Sequence, residues 1–442
     1  MGCQGAWWRP GLPDRRHGGH EEPASREPAG AAVAELSEPR TYDTGVEHGQ
    51  ALLPEPPEMW SYSSLKEVES CPRRYVLSRA DYPDLWDKHG YPRLPNPAAI
   101  KGDVVHGSLE VIVKALVKAG CLSTRAADAV AVLRDLGGYT AVAEAVLDEQ
   151  LARLDGNPRI SPGRREQLNR TLGEWVPEAR EQIQTYLNRM ELRSRAAGTH
   201  AVEGAPLDRP GKRYPAMEGD HPERELVAEA LRLKGRVDLL SVEADGATIT
   251  DFKTGGEDPT HHDQLRLYAL LWNEDGEVNP DTLPAKALVA AYPSRDVPVT
   301  APTAAELADL RGALAARTAD ADAAVREELP LALVGEHCGL CNVRGLCDAY
   351  WGTGTPNTAD VPDSGWYDMQ GTVVRQHGVK SWVLRETRSG KEVLLRTPNP
   401  SFTLPAGQDV RILGAKRTVD PDEEEALIAS VTSASEVLTV TV

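Results

Sequence analysis

Three side chains on two short segments could do phosphate chemistry. Leu233-Lys234-Gly235-Arg236-Val237-Asp238-Leu239-Leu240 reads as a strand, and Ala247-Thr248-Ile249-Thr250-Asp251-Phe252-Lys253-Thr254 reads as the next. Glu243-Ala244-Asp245-Gly246 supplies the turn of a hairpin. Side chains alternate across a strand, so Asp251 and Lys253 share one face and Phe252 takes the other. Asp238 can lie on that same face of the neighbouring strand. Two carboxylates and a lysine at one spot can bind Mg²⁺ or Mn²⁺, orient a water and stabilise a pentacovalent phosphate.

A second chemical signal is split between the two ends of this region. Cys71 stands alone in Cys71-Pro72-Arg73-Arg74-Tyr75, whereas Cys338, Cys341 and Cys347 form a C-x2-C-x5-C cluster. Four thiolates suit a tetrahedral zinc or an iron–sulfur cluster. A zinc knuckle usually offers two close pairs. A split of one plus three makes the metal centre a staple, tying the first helix of a domain to its last. Cys3 and Cys121 have no partner in this pattern.

The elements that must position these groups follow from periodicity and punctuation. Residues 1–57 are rich in Pro, Gly, Glu, Arg and His, without apolar periodicity, and read as a disordered tail. Met59 stands just before the first motif, so a downstream start and a genuine flexible tail both fit. Residues 103–119 form an amphipathic helix carrying His106, with Glu110 one turn away. Residues 123–197 read as helical, and 198–222 as a Gly/Pro-rich connection. Strands run from 225 to 253, and a helix follows over 263–273. Gln264 and Tyr268, spaced i, i+4, share a face of that helix. Residues 285–292 and 297–300 are further strands. Thr303-Ala304-Ala305-Glu306 is a capping box that opens a helix to about residue 328. A linker spans 353–364. Short alternating segments over 365–442, with turns at Gly390 and Gly407, predict a small all-β barrel of the OB-like kind.

Bulk properties narrow the partners. The chain has 442 residues and a formal charge of −18, which argues against non-specific nucleic-acid affinity over the whole surface while allowing a local basic groove. Six cysteines without an apparent secretory signal predict a reducing cytoplasm. No apolar run reaches the roughly 20 residues of a membrane helix. No G-x4-G-K-[ST] motif occurs, so a motor would be another chain.

Taken in order, the motifs resemble the PD-(D/E)XK nucleases, specifically the RecB-like, AddB-like branch with an iron–sulfur cluster, which includes the CRISPR-associated adaptation exonucleases. The resemblance rests on Ser61-Tyr62-Ser63-Ser64-Leu65 before Cys71-Pro72, and on His106 in Gly102-Asp103-Val104-Val105-His106-Gly107. Gly235-Arg236-Val237-Asp238, Asp251-Phe252-Lys253-Thr254-Gly255, Gln264-Leu265-Arg266-Leu267-Tyr268 and the cysteine triplet follow. It covers about residues 58–352.

The resemblance implies an α/β fold: a restriction-endonuclease-like core, with a mixed β-sheet flanked by helices, stapled by the four cysteines. It implies metal ligation by His106, Asp238 and Asp251, with Glu225 as an additional carboxylate and Glu229 competing for that role. Lys253 would position the water or offset phosphate charge. Gln264 and Tyr268 would position the substrate backbone, and Arg236 and Arg266 would contact phosphate. Cys71, Cys338, Cys341 and Cys347 would hold a [4Fe–4S] cluster, with zinc the alternative. The expected function is a metal-dependent deoxyribonuclease, an exonuclease on DNA ends or single strands, in DNA repair or phage defence beside a separate helicase. A catalytically idle DNA clamp and a redox-responsive subunit of a larger complex are the competing readings. Trp60, Tyr62, Arg73 and Arg74 read either as a single-strand clamp or as core aromatics with solvated arginines. His261 and His262 read as polar loop.

Overall fold

The computed structural model describes residues 40–43, 49–193, 213–398, 403–420 and 426–440. Most of the segment expected as a disordered tail, residues 1–39, lies outside them, as does Cys3. Its last part is not a tail. β1 (Thr41–Asp43) pairs antiparallel with β2 (Gln50–Leu52), and Ala51 and Leu53 are buried in the main core. Arg40 Nη1 donates to the carbonyl of Val325 at 2.9 Å, which ties this ribbon to the far end of the chain.

The helices start where their caps dictate. Ser61 caps α1 (Tyr62–Ser70) in a capping box with Ser64. Cys71 caps α2 (Pro72–Arg79), with Pro72 in the first turn. Asn96 accepts from the amides of Ala98 and Ala99 to open α3 (Pro97–Lys118). Then come α4 (Ala127–Asp135), α5 (Gly138–Ala152) and the long α6 (Pro162–Arg189). Together α3 to α6 form the expected helical region.

A five-stranded mixed sheet follows: β3 (Gly219–Ala228), β4 (Leu233–Glu243), β5 (Gly246–Phe252), β6 (Ala285–Ala291) and β7 (Asp296–Val299), in that spatial order. All pairings are antiparallel except β5–β6, which is parallel because α7 (Thr260–Glu274) crosses over between them. The predicted Thr303/Glu306 capping box opens α8 (Ala304–Arg326). α9 (Asp348–Thr353) closes the region.

Strand alternation sorts the sheet's two faces. Leu240, Val242 and Ile249 join a core with α1, α2, α7 and α8, whereas Leu239 and Phe252 join a second core with α3 to α6. Gly235 lets α7 lie close on β4: a Cβ there would sit 2.6 Å from Tyr268 Cε1.

Beyond residue 353 the chain forms β8 (Trp366–Gln376), β9 (Ser381–Glu386), β10 (Glu392–Arg396), β11 (Asp409–Thr418), β12 (Ile428–Ser430) and β13 (Glu436–Val440). β12 pairs with both β10 and β11, so β8 to β12 close into a five-stranded barrel, and β13 adds to β11. Residues 353–364, expected as a linker, are packed instead: Thr358 is fully buried and its amide donates to Glu386 of the barrel at 2.8 Å.

The burial of Ala51 and Leu53 makes a prediction about truncation. Removing residues 1–57 should destabilise the fold by about 2 kcal/mol or more, the scale for exposing one buried leucine and its neighbours. Removing residues 1–39 alone should cost less than half as much. Urea denaturation of the two truncations checks this. Equal midpoints would show that the ribbon does not contribute to the core.

Candidate active site

α3 and the β3–β4–β5 edge of the sheet bring the chemistry together. Asp238 on β4 is 4 % exposed and Asp251 on β5 is fully buried. The Oδ2 of Asp238 accepts the backbone amide of Phe252 at 2.5 Å, which fixes this carboxylate against the neighbouring strand. His106 reaches across from α3, with Nε2 2.9 Å from Asp238 Oδ1 and without the alignment of a hydrogen bond. Neither oxygen of Asp251 receives a hydrogen bond, although the Lys253 ammonium lies against Oδ2 in an ion pair. Buried acceptors without donors are costly unless a cation satisfies them.

The third ligand atom comes from Glu223. His106, Glu223 and Asp238 each offer one ligand atom, and all of these lie within 4.8 Å of one another. Glu223 stands opposite Asp238 in the β3–β4 ladder, between the pairs Pro222–Leu239 and Arg224–Val237. Its backbone has φ 57°, in the left-handed region. A non-glycine residue pays about 1 kcal/mol or more for that conformation, and such strain collects at functional sites.

Glu225 is exposed and pairs with Arg236, two residues further along. Among the described residues, Glu223 is grouped with His106 and Asp238, and the expected Glu225 and Glu229 are not. Glu229 is exposed in the turn between β3 and β4. Glu223 carried no sequence signal, because Pro222 and ordinary alternation drew attention to the next acidic position.

Burial and like charge shape the electrostatics. Burial, and then the charge of Asp238, raise the Glu223 carboxyl well above its usual range. The same two causes raise Asp251, against the opposing charge of Lys253. Burial pushes the His106 imidazole down, but the Asp238 carboxylate beside it outweighs burial, and the net shift is upward.

Lys253 is 8 % exposed and held from three sides. Its Nζ donates to Gln264 Oε1 at 2.7 Å, and Gln264 Nε2 donates to the Tyr268 hydroxyl at 2.8 Å. Gln264 and Tyr268 thus act on the lysine from inside α7. The third hold is Tyr186 of α6, whose hydroxyl donates to the Lys253 carbonyl at 2.6 Å. Tyr186 was not singled out from sequence, since a single tyrosine in a long helix reads as core.

The basic residues divide. Arg236 is exposed beside the site, with Nη1 3.8 Å from Glu223 Oε2. Arg266 faces α8 and pairs with Glu306 at 2.7 Å. Arg73 is buried: its Nε donates to the Pro330 carbonyl at 2.8 Å and its amide to the Leu331 carbonyl at 3.0 Å. Trp60 is fully buried and donates to Asp322 at 3.0 Å, and the Tyr62 hydroxyl donates to the Thr260 carbonyl at 2.9 Å. The region around Cys71 is therefore structural packing, and Arg73 is neither a solvated nor a clamping arginine. His261 is tied to the Tyr292 hydroxyl at 2.8 Å.

A family model, the PD-(D/E)XK nuclease superfamily, matches residues 59–348. The chain belongs to that superfamily. No curated protein matches it. The motif's second aspartate, Asp251, is on β5 and its lysine, Lys253, directly follows that strand, with Asp238 on the preceding strand. Divalent-metal chemistry is the family's, and the His106, Glu223 and Asp238 donor set fits a hard or borderline cation.

Cys71, Cys338, Cys341 and Cys347 line one cavity together with Arg344 and Tyr350. They do not form the tight four-cysteine cluster expected from sequence. Among the described residues, the group with ligand atoms within 4.8 Å of one another is that of His106, not one of cysteines. Cys71 Sγ accepts the Arg74 amide at 3.5 Å and Cys338 Sγ the Gly335 amide at 3.4 Å. Burial pushes the Cys341 thiol up to about 11 and raises that of Cys347. Cys121 is buried in the second core, apart from this cavity.

Two substitutions separate these assignments. Glu223→Gln should weaken Mn²⁺ binding by at least about tenfold, whereas Glu225→Gln should leave it unchanged. Isothermal titration of the two variants reads this directly. The reverse order would return the ligand role to Glu225. Tyr186→Phe should slow cleavage by about fivefold, the worth of one hydrogen bond of about 1 kcal/mol, with metal affinity unaltered.

Proposed function

We propose that this chain is a metal-dependent DNA nuclease that hydrolyses phosphodiester bonds at DNA ends or in single strands. The observation that carries the reading is the convergence of His106, Glu223 and Asp238 beside an ammonium held by Gln264 and Asp251. A divalent cation at the three ligands would supply Lewis acidity toward a phosphate oxygen and toward the attacking water. The imidazole favours Mn²⁺ over Mg²⁺, being a softer donor than carboxylate.

The chain's own groups do the rest. Lys253 presents a fixed positive charge where negative charge develops in the transition state. Preorganised charge in a dry site is worth far more than in water. Gln264, Tyr268 and Tyr186 keep that charge from swinging away. Asp251 anchors the lysine, and its carboxylate would be a further candidate ligand for the metal. Arg236, exposed at the rim, is placed to meet the phosphate backbone.

The cavity lined by Cys71, Cys338, Cys341 and Cys347 supports a [4Fe–4S] cluster over zinc. Four thiolates on one tetrahedral zinc stand about 3.8 Å apart, given a Zn–S bond of about 2.3 Å. These sulfurs form no group that close. A cubane separates its ligands more widely and suits them better. The cluster would serve as a staple between α2 and the end of the domain. With no nucleotide-binding motor motif in the chain, we place it beside a separate helicase, in repair or phage defence, in a reducing cytoplasm. The OB-like barrel is proposed to contribute to substrate or partner binding.

Lys253→Ala should abolish digestion of end-labelled single- and double-stranded DNA in Mn²⁺, with the fold and cysteine-bound metal intact. Closed circular DNA should resist the wild-type protein. Wild-type rates for Lys253→Ala would overturn the site assignment, and rapid cutting of circles would overturn the preference for ends. Protein purified without oxygen should be brown and carry about four irons per chain. A colourless, active protein with one zinc would exclude the iron–sulfur cluster.

A further inference from the structure

We propose that the C-terminal barrel clamps the cysteine loop, with Asp368 and Glu436 as the positioning residues that keep Cys341 and Cys347 facing Cys71. The inference rests on the reading of the four cysteines as metal ligands. It goes beyond that reading in assigning the barrel a task inside the nuclease domain.

Asp368 lies on β8 and is 7 % exposed. Its Oδ2 accepts from Arg344 Nε at 2.6 Å and from the Tyr350 hydroxyl at 2.9 Å, and its Oδ1 accepts the Gly414 amide at 2.7 Å. Both oxygens of this buried carboxylate are therefore engaged, and two of the three donors, Arg344 and Tyr350, come from the cysteine loop and the helix that follows it. Arg344 passes the hold on: its Nη1 donates to the carbonyl of Cys341 at 3.2 Å. Arg344 and Tyr350 line the same cavity as the four sulfurs.

Glu436, on β13, grips the loop from the other side. It takes a bidentate pair from Arg159, at 2.7 and 2.9 Å, and the Arg159 Nη1 donates to the carbonyl of Asn342 at 3.1 Å. Bidentate guanidinium–carboxylate pairs fix orientation as well as distance. A third hold is steric. A Cβ on Gly345 would lie 2.6 Å from Leu438 Cδ1, so β13 seats directly on the loop's backbone. Arg411 of β11 donates to the Gly345 carbonyl at 3.1 Å.

These contacts give the loop carbonyls at 341, 342 and 345 partners held from outside the loop. A loop of 3₁₀ turns closes only short-range backbone bonds of poorer geometry, such as that from the Cys341 amide to the Cys338 carbonyl. Without outside partners its three cysteines would sample many arrangements, and the cost of ordering them would fall on metal binding. The barrel removes that cost before the metal arrives. It is then part of the metal site, and the expectation of an independent domain after residue 352 is replaced by one of mutual support.

Asp368→Asn and Glu436→Gln keep shape and remove charge. Hydrogen exchange followed by mass spectrometry should show amides of residues 338–350 exchanging about tenfold faster in both, the scale for losing a charged hydrogen bond. Residues 392–396 should keep their protection, which reports that the barrel remains folded. Arg396→Gln breaks a barrel ion pair to Asp420 away from the loop and should leave residues 338–350 as in the wild type. On the cluster reading, the two loop-facing variants should also retain less than half the wild-type iron after a chelator challenge. Unchanged exchange of residues 338–350 in both variants would overturn the clamp. Wild-type protein without iron would instead remove the cluster reading, and exchange alone would then decide the clamp. If Asp368→Asn opens the barrel itself, Glu436→Gln, at the outer strand, carries the test.

Discussion

Like charges held together in a buried place are the constraint on which the structure depends. Asp238, Asp251 and Glu223 are each nearly or fully withdrawn from water, and the charge of Asp238 raises the cost of ionising the other two. Carboxylates in such a position are tolerated only where positive charge or donors answer them. The fold supplies His106 from one helix, Lys253 from the neighbouring strand and the Phe252 amide from the sheet itself. What remains without a hydrogen-bond donor is the pair of Asp251 oxygens, of which Oδ2 has only the Lys253 ion pair, and the His106 contact is misaligned. The site is built with a deficit of positive charge, which suits a cation and a phosphodiester arriving together.

Holding that arrangement requires rigidity from two directions. The sheet fixes the aspartates by alternation and register. The helices on its two sides fix what the sheet cannot: α3 brings His106, α7 brings Gln264 and Tyr268, and α6 brings Tyr186. Gly235 permits α7 to approach β4 closely enough for Tyr268 to take part. The left-handed backbone at Glu223 shows the same pressure on a smaller scale. A strained residue persists because the ladder on both sides, Pro222–Leu239 and Arg224–Val237, over-determines it.

The cysteine cavity obeys a different logic. Its four sulfurs come from segments that share little secondary structure, and their order depends on neighbours. Arg73 ties α2 to the strap before Cys338, and Asp368, Glu436 and Arg411 hold the loop from the barrel side. The nuclease core and the barrel thereby share one polar seam. Apolar packing joins it, since Leu413 and Leu438 of the barrel belong to the main core.

Much of this was legible in the chain. Strand alternation placed Asp238, Asp251 and Lys253 on one face, helical spacing joined Gln264 to Tyr268, and the Thr303/Glu306 box marked the start of α8, because these are local rules with short periods. The short strands and turn glycines likewise announced a β-barrel. Tertiary structure decided what no local rule contains. Glu223 is grouped with His106 and Asp238 where Glu225 was expected, since β3 begins at Gly219 and not at residue 225. Tyr186 joined the lysine through a contact between distant segments. Arg73 turned inward to partners far along the chain, and Arg266 paired at the surface with Glu306. Ala51 and Leu53 of the expected tail, and Thr355 and Thr358 of the expected linker, are buried through contacts with distant segments. Composition and spacing determined which chemistry was present; long-range contact determined which atoms meet, since contacts between distant segments leave no period in the sequence.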